Sequence, residues 1–103
     1  MRNTLLYDFY GDLLTKKQKE IYHMYFCEDL SLSEIGSKFG ISRQAVNFSL
    51  KQSQKSFNAL EAALGLIERY MLAREYMTKL HKAIEQGNRT ESSRLLTELS
   101  EML

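Results

Sequence analysis

Proline is absent from this 103-residue chain, glycine occurs only five times and cysteine once. Without proline, and with so few glycines, strands bounded by repeated tight turns have little to form them, whereas long helices meet few breaks. The expected fold class is all-α. A single thiol, Cys27, excludes an intramolecular disulfide and suits a reducing compartment. No apolar run approaches the roughly 20 residues needed to span a bilayer. The opening stretch MRNTLLYDFYGD carries acids where a secretory leader needs an unbroken apolar segment. The expectation is a cytoplasmic protein with no membrane insertion.

Catalytic signatures are missing too. There is no recognisable nucleophile with its base and no phosphate-cradling glycine loop. Glu28 and Asp29 are adjacent, which makes a solvated acidic corner of a turn rather than a general acid–base pair. No enzymatic activity and no cofactor is expected. His23 and Cys27 lie four apart on one helix face, but the only other histidine is His81 and no second thiol exists to complete a tetrahedral metal site. No metal is expected, and Cys27 reads as a small buried hydrophobe.

What is present is the balance of a folded globular chain: 44% hydrophobic and 26% charged residues. The length suits one modest core. A first helix, from about Asn3 to Gly11, carries Leu5, Leu6, Phe9 and Tyr10, with Gly11 as its stop. Thr15 with Gln18 forms a capping box that opens a second helix ending near Cys27. Ser31 with Glu34 repeats the device before a third helix, Leu32 to Phe39. Gly40 must end that helix, Ile41 turns back to the core, and Ser42 caps a fourth helix starting at Arg43. The aromatics Tyr7, Phe9, Tyr10, Tyr22, Tyr25 and Phe26 recur at helical spacing and are expected in the core.

From Arg43 to Glu85 only Gly65 interrupts helix-favouring sequence. Leu50, Phe57, Leu60, Leu64, Ile67 and Met71 form an apolar seam along it. A helix from Arg43 to Tyr70 would be about 42 Å long at about 1.5 Å per residue, more than three short helices can cover. Its far end therefore needs a partner. One candidate is the segment bearing Leu95, Leu96 and Leu99, folded back after the Gln86-Gly87-Asn88 break; the other, favoured here, is a second chain in a homodimer through Leu60, Leu64, Ile67 and Met71. The expected organisation is a helix-turn-helix core over residues 1–58 and a helical extension over 59–103, one structural domain in all.

The informative stretch is LSLSEIGSKFGISRQAVNFSLKQ, residues 30–52. Gly36 stands four residues before Gly40, and Val46 six after it, as two helices crossing at a tight turn require. A small residue at Gly36 lets the backbones approach, and Leu there should overpack the crossing. Ile35, Phe39, Ile41, Val46 and Leu50 close the small core between the two helices. Left outside are Arg43, Gln44 and Asn47, with Phe48, Lys51 and Lys55 beyond them. In readers of this shape the start of the second helix enters the major groove. Arg pairs with guanine and Gln or Asn with adenine, while Ser42, Lys51 and Lys55 suit phosphates. Phe48 either meets a base or a partner, or packs under the first helix. Charge permits this reading without demanding it. Residues 31–58 carry four bases against one acid, and each flank has one acid more than it has bases. A protein-binding adaptor built on the same helices is the competing class.

The segment LLTKKQKEIYHMYFCEDLSLSEIGSKFGISRQAVN resembles sigma factor region 4, which reads promoter DNA, and is still more similar to the YlxM family. The LLTxKQ opening, the acidic turn, SLSEI and GISRQAV carry the resemblance, which covers roughly residues 5–60. In sigma-type motifs the ninth position after the turn glycine is apolar; here it is Ser49, and the apolar residue is Leu50, as in the YlxM pattern. The resemblance implies a helix-turn-helix regulatory or DNA-binding protein associated with the signal recognition particle pathway. The alternative is a non-DNA-binding adaptor that binds the particle's GTPase or its RNA.

Overall fold

The computed structural model describes residues 2–102. Helix α1 (Arg2–Tyr10) passes through one 3-10 turn (Gly11–Leu13) to α2 (Lys16–Phe26), α3 (Leu32–Phe39) and α4 (Arg43–Leu64); α5 (Leu66–Glu85) and α6 (Arg89–Met102) follow. No strand occurs among the described residues, so the chain is all-α. It divides after Gly65 into two compact units.

Each helix start in the motif is fixed locally. Thr15 Oγ1 accepts from the Gln18 amide at 3.2 Å while Gln18 Oε1 accepts from the Thr15 amide at 3.2 Å. Ser31 and Glu34 repeat this reciprocal pair at 3.0 Å each. The backbone amide and then the hydroxyl of Ser31 hold the Glu34 carboxyl below its ordinary pKa. Ser42 Oγ accepts from the Ala45 amide at 3.0 Å. Each such cap satisfies backbone donors that the first turn otherwise leaves unpaired and stabilises by about 1 kcal/mol.

In the first unit, α1, α2 and α3 all pack against neighbours that include α4. The buried apolar side chains are Leu6, Tyr10, Ile21, Tyr22, Ile35, Val46, Leu50 and Phe57, each contributing roughly 1.5–3 kcal/mol on leaving water. Tyr22 is their centre. Its ring meets Phe57 edge-on at 5.0 Å, Phe26 at 4.5 Å, and stacks parallel to Tyr7 at 5.7 Å. Burial pushes its hydroxyl up to about 12. Tyr10 donates to Glu61 Oε1 at 2.6 Å, tying α1 to the last turns of α4. The aromatic set is only partly core: Tyr10 and Tyr22 are buried, Tyr7 is half-buried, and Phe9, Tyr25 and Phe26 lie at the accessible rim. Periodicity marks a helix face but cannot say where the neighbouring helices end.

The α3–α4 crossing rests on Gly36. A Cβ there would stand 2.7 Å from the Ile41 carbonyl oxygen and 3.6 Å from the Arg43 amide nitrogen. That carbonyl is not free to retreat, because the Ile41 amide donates to Gly36 O at 2.9 Å and locks the turn. Gly40 adopts φ 66°, ψ 35° and closes α3 as expected.

Three expectations need correction. Gly65 has φ 62° and is the C-cap of α4, so no single helix runs from Arg43 to Tyr70. The seam is broken with it: Leu50, Phe57 and Ile67 are buried, whereas Leu64 and Met71 are about half exposed. α1 does stop at Gly11 as expected, where the chain tightens into a 3-10 turn with Gly11 buried beside the Tyr7 ring. Cys27 is exposed, because α2 ends there and the turn leads outward, with Asp29 in the left-handed region at φ 62°. In the second unit α6 folds back on α5 across a turn at Gly87, φ 69°, and Asn88 Oδ1 caps α6 by accepting from the Glu91 amide at 3.0 Å. No helix among the described residues is long and apolar enough to cross a membrane.

Two stability predictions follow from the first unit. Glycine to alanine inside a helix ordinarily stabilises by roughly 0.5–1 kcal/mol. At Gly36 the sign reverses: Gly36→Ala should destabilise by about 1–3 kcal/mol, and Gly36→Leu by more. Thermal denaturation that shows either variant as stable as wild type removes the close crossing. Ser53 is fully buried on α4 and its hydroxyl meets no hydrogen-bond partner among the described residues. Removing that orphan without leaving a large void, Ser53→Ala should raise stability by about 1 kcal/mol in chemical denaturation. A loss of stability would mean that the hydroxyl is satisfied.

Candidate nucleic-acid interface

Helix α4 separates its residues by angle. At about 100° per residue, the buried Val46, Leu50, Ser53 and Phe57 fall within an arc of about 60°. Arg43, Gln44, Asn47, Phe48, Lys51 and Lys55 fall within a separate arc of about 140°, with Phe48 and Lys55 nearly opposite the middle of the buried one. Arg43, Gln44, Phe48, Lys51 and Lys55 are exposed and Asn47 is half-buried; Arg43, only about 20° from Leu50 in angle, is exposed at the first residue of the helix. All of the residues expected at the site are thus brought to one side of one helix, with the N-cap Ser42 exposed at its tip.

The helix also sets their reach. Arg43 to Asn47 occupy about 6 Å of axis, inside a major groove about 12 Å wide. Lys55 lies about 18 Å from Arg43 along the axis, beyond the width of such a groove. Ser42 Oγ already accepts from Ala45, which leaves its O–H to donate outward. Phe48 is 64% exposed; it does not pack beneath the first helix, and that alternative falls. Arg43, Lys51 and Lys55 enter no ion pair among the described residues. Their charge is available to a ligand.

Sequence reasoning missed one part of this surface. A groove of about 260 Å³ runs beside the face, lined by Thr15, Lys17, Gln18 and Ile21 of the α2 side and by Ile41, Ala45, Phe48, Ser49 and Gln52. The signal was present in the Thr15-Lys16-Lys17-Gln18 opening, but it read only as a helix start, since no pattern in the chain says that α2 begins next to α4. Elsewhere, His23 Nδ1 is 2.9 Å from Glu28 Oε2. No cluster of three or more metal-ligating side chains occurs among the described residues.

Comparison with known proteins agrees with the motif. The family model described as "Putative helix-turn-helix protein, YlxM / p13 like" matches residues 1–97. A UPF0122 protein of Thermoanaerobacter sp. is 48% identical over 82 residues, covering 80% of this chain and 70% of the relative. One of Listeria monocytogenes is 37% identical over 87 residues, covering 84% and 79%. One of Shouchella clausii is 34% identical over 103 residues, covering 100% and 94%. With a family match across nearly the whole chain, and with the α3–α4 crossing and outward-facing α4 that such a motif requires, this protein belongs to the UPF0122 family of YlxM/p13-like helix-turn-helix proteins.

Proposed function

We propose that this protein is a non-catalytic, cytoplasmic nucleic-acid-binding regulator that reads its target with the exposed face of α4. The observation that supports it best is the angular segregation on α4. One arc is buried and holds the fold, and the other presents Arg43, Gln44 and Asn47, suited to base edges, with Phe48 beside them and Ser42, Lys51 and Lys55 suited to phosphates. In this reading residues 1–58 carry recognition and 59–103 form an extension.

Arg43→Ala should then lose discrimination between sequences, since a bidentate base contact is worth about 1–3 kcal/mol. Lys55→Ala should weaken all sequences alike and flatten the salt dependence by about one charge. Binding titrations at several salt concentrations separate the two. Equal loss from both substitutions reduces the face to a nonspecific cationic patch.

A second reading is favoured by the other unit. Met71, Leu72, Met77, Ile84 and Leu96 are all more than two-fifths exposed on α5 and α6, which is apolar surface suited to association. That surface supports a homodimer, now through Met71 rather than the buried Ile67, or an adaptor role. Sedimentation of wild type and Met71→Asp tests the dimer: a wild type that sediments as a monomer at high concentration ends it. The link to the signal recognition particle rests on the family resemblance. Capture from host lysate with and without nuclease should recover the particle's RNA and GTPase together, and the GTPase alone after nuclease if the protein acts as an adaptor. Recovery of neither removes the link.

A further inference from the structure

Phe48 is an unusual residue for a face that reads paired bases. Base pairs present hydrated polar edges in the major groove, where only the thymine methyl suits a phenyl ring. An unpaired base offers instead a π-face, on which aromatic side chains stack whatever the base.

The surroundings of Phe48 match that ligand. The adjoining groove is lined by the apolar Ile21, Ile41 and Ala45 and by the polar Lys17, Gln18, Ser49 and Gln52, with no acid among the lining residues. Its volume of about 260 Å³ is room for about nine waters at about 30 Å³ each, enough for a flat group such as a nucleobase. Gln18 Oε1 is engaged in the capping box, which leaves its amide N–H₂ to donate. The Ser49 and Gln52 side chains have no hydrogen-bond partner among the described residues. Lys17 is exposed and enters no ion pair among them. A polyanion is the complementary partner for a groove with a cation in its lining and no carboxylate.

Resting on the nucleic-acid reading above, we propose that this groove receives one unpaired nucleobase of an RNA loop or a DNA single strand. The base stacks on Phe48, its edge meets Gln52, Ser49 and the Gln18 amide, and the adjoining phosphate lies against Lys17. The protein then recognises a duplex interrupted by a loop better than an uninterrupted one, because no base has to be taken out of a stack first.

The test is fluorescence anisotropy of the full chain with a hairpin bearing an all-adenine loop and with its stem closed as a blunt duplex, each as RNA and as DNA. The hairpin should bind more tightly than the duplex. Phe48→Ala should weaken the hairpin about 5- to 100-fold and leave the duplex nearly unchanged. Phe48→Tyr should retain hairpin binding, and Lys51→Ala should weaken both forms alike. Circular dichroism should show every variant folded, since Phe48 and Lys51 are exposed. A hairpin preference confined to RNA assigns the base to an RNA loop, and a preference in both assigns it to any single strand. Equal wild-type affinity for hairpin and duplex overturns the inference while the nucleic-acid reading stands. So does a Phe48→Ala effect that is absent or identical on the two. Failure of wild type to bind any probe overturns both, and loss of a lysate protein partner in Phe48→Ala under that condition assigns the groove to protein contact.

Discussion

The contact between Gly36 and the Ile41 carbonyl is the constraint from which the motif's geometry follows. With 2.7 Å between a notional Cβ and that oxygen, any side chain at Gly36 would push α3 away from the turn. The turn would then lose the Ile41 to Gly36 hydrogen bond that fixes where α4 begins. Moving that start by one residue would rotate α4 by about 100°. Val46 and Leu50 would leave the core, and Arg43 and Gln44 would swing away from the face they share. The left-handed turn at Gly40 and the Ser42 cap hold the same boundary from the other side. Fold and site therefore depend on a single register.

A second dependence runs through Tyr22. Its ring contacts Tyr7 and Phe57 within the first unit, so it positions α2 against both α1 and α4. The N-terminal turn of α2 is thereby set beside Phe48, with the groove between them. Packing in the interior thus determines which polar residues meet at the surface.

Much of this was legible in the sequence, and the physical reasons for what was not are specific. Caps and turn glycines are local devices, so the starts of α2, α3 and α4 and the end of α3 could be read from Thr15, Ser31, Ser42 and Gly40 alone. Helical angle is also local, which is why the face from Arg43 to Lys55 assembled as expected. Gly65 was harder: a glycine in a helix-favouring run is compatible with continuation, and only tertiary packing selects the left-handed cap that it adopts. Cys27 and the rim aromatics Tyr25 and Phe26 depend on where neighbouring helices end, which no periodicity encodes. The groove belongs to this class as well. It joins residues 15–21 to residues 41–52, and Lys17 adds a cation that a charge count by segment assigned to the flank.

The central claim is that the outward arc of α4, together with the N-terminal turn of α2, is where nucleic acid meets this protein. Amide chemical-shift mapping of the isotopically labelled chain, titrated with the all-adenine-loop hairpin, tests it most directly. The account predicts shifts that concentrate on residues 42–55 and 15–18, with α5 and α6 unmoved. Shifts confined to α5 and α6, or none at any ratio of hairpin to protein, would contradict it.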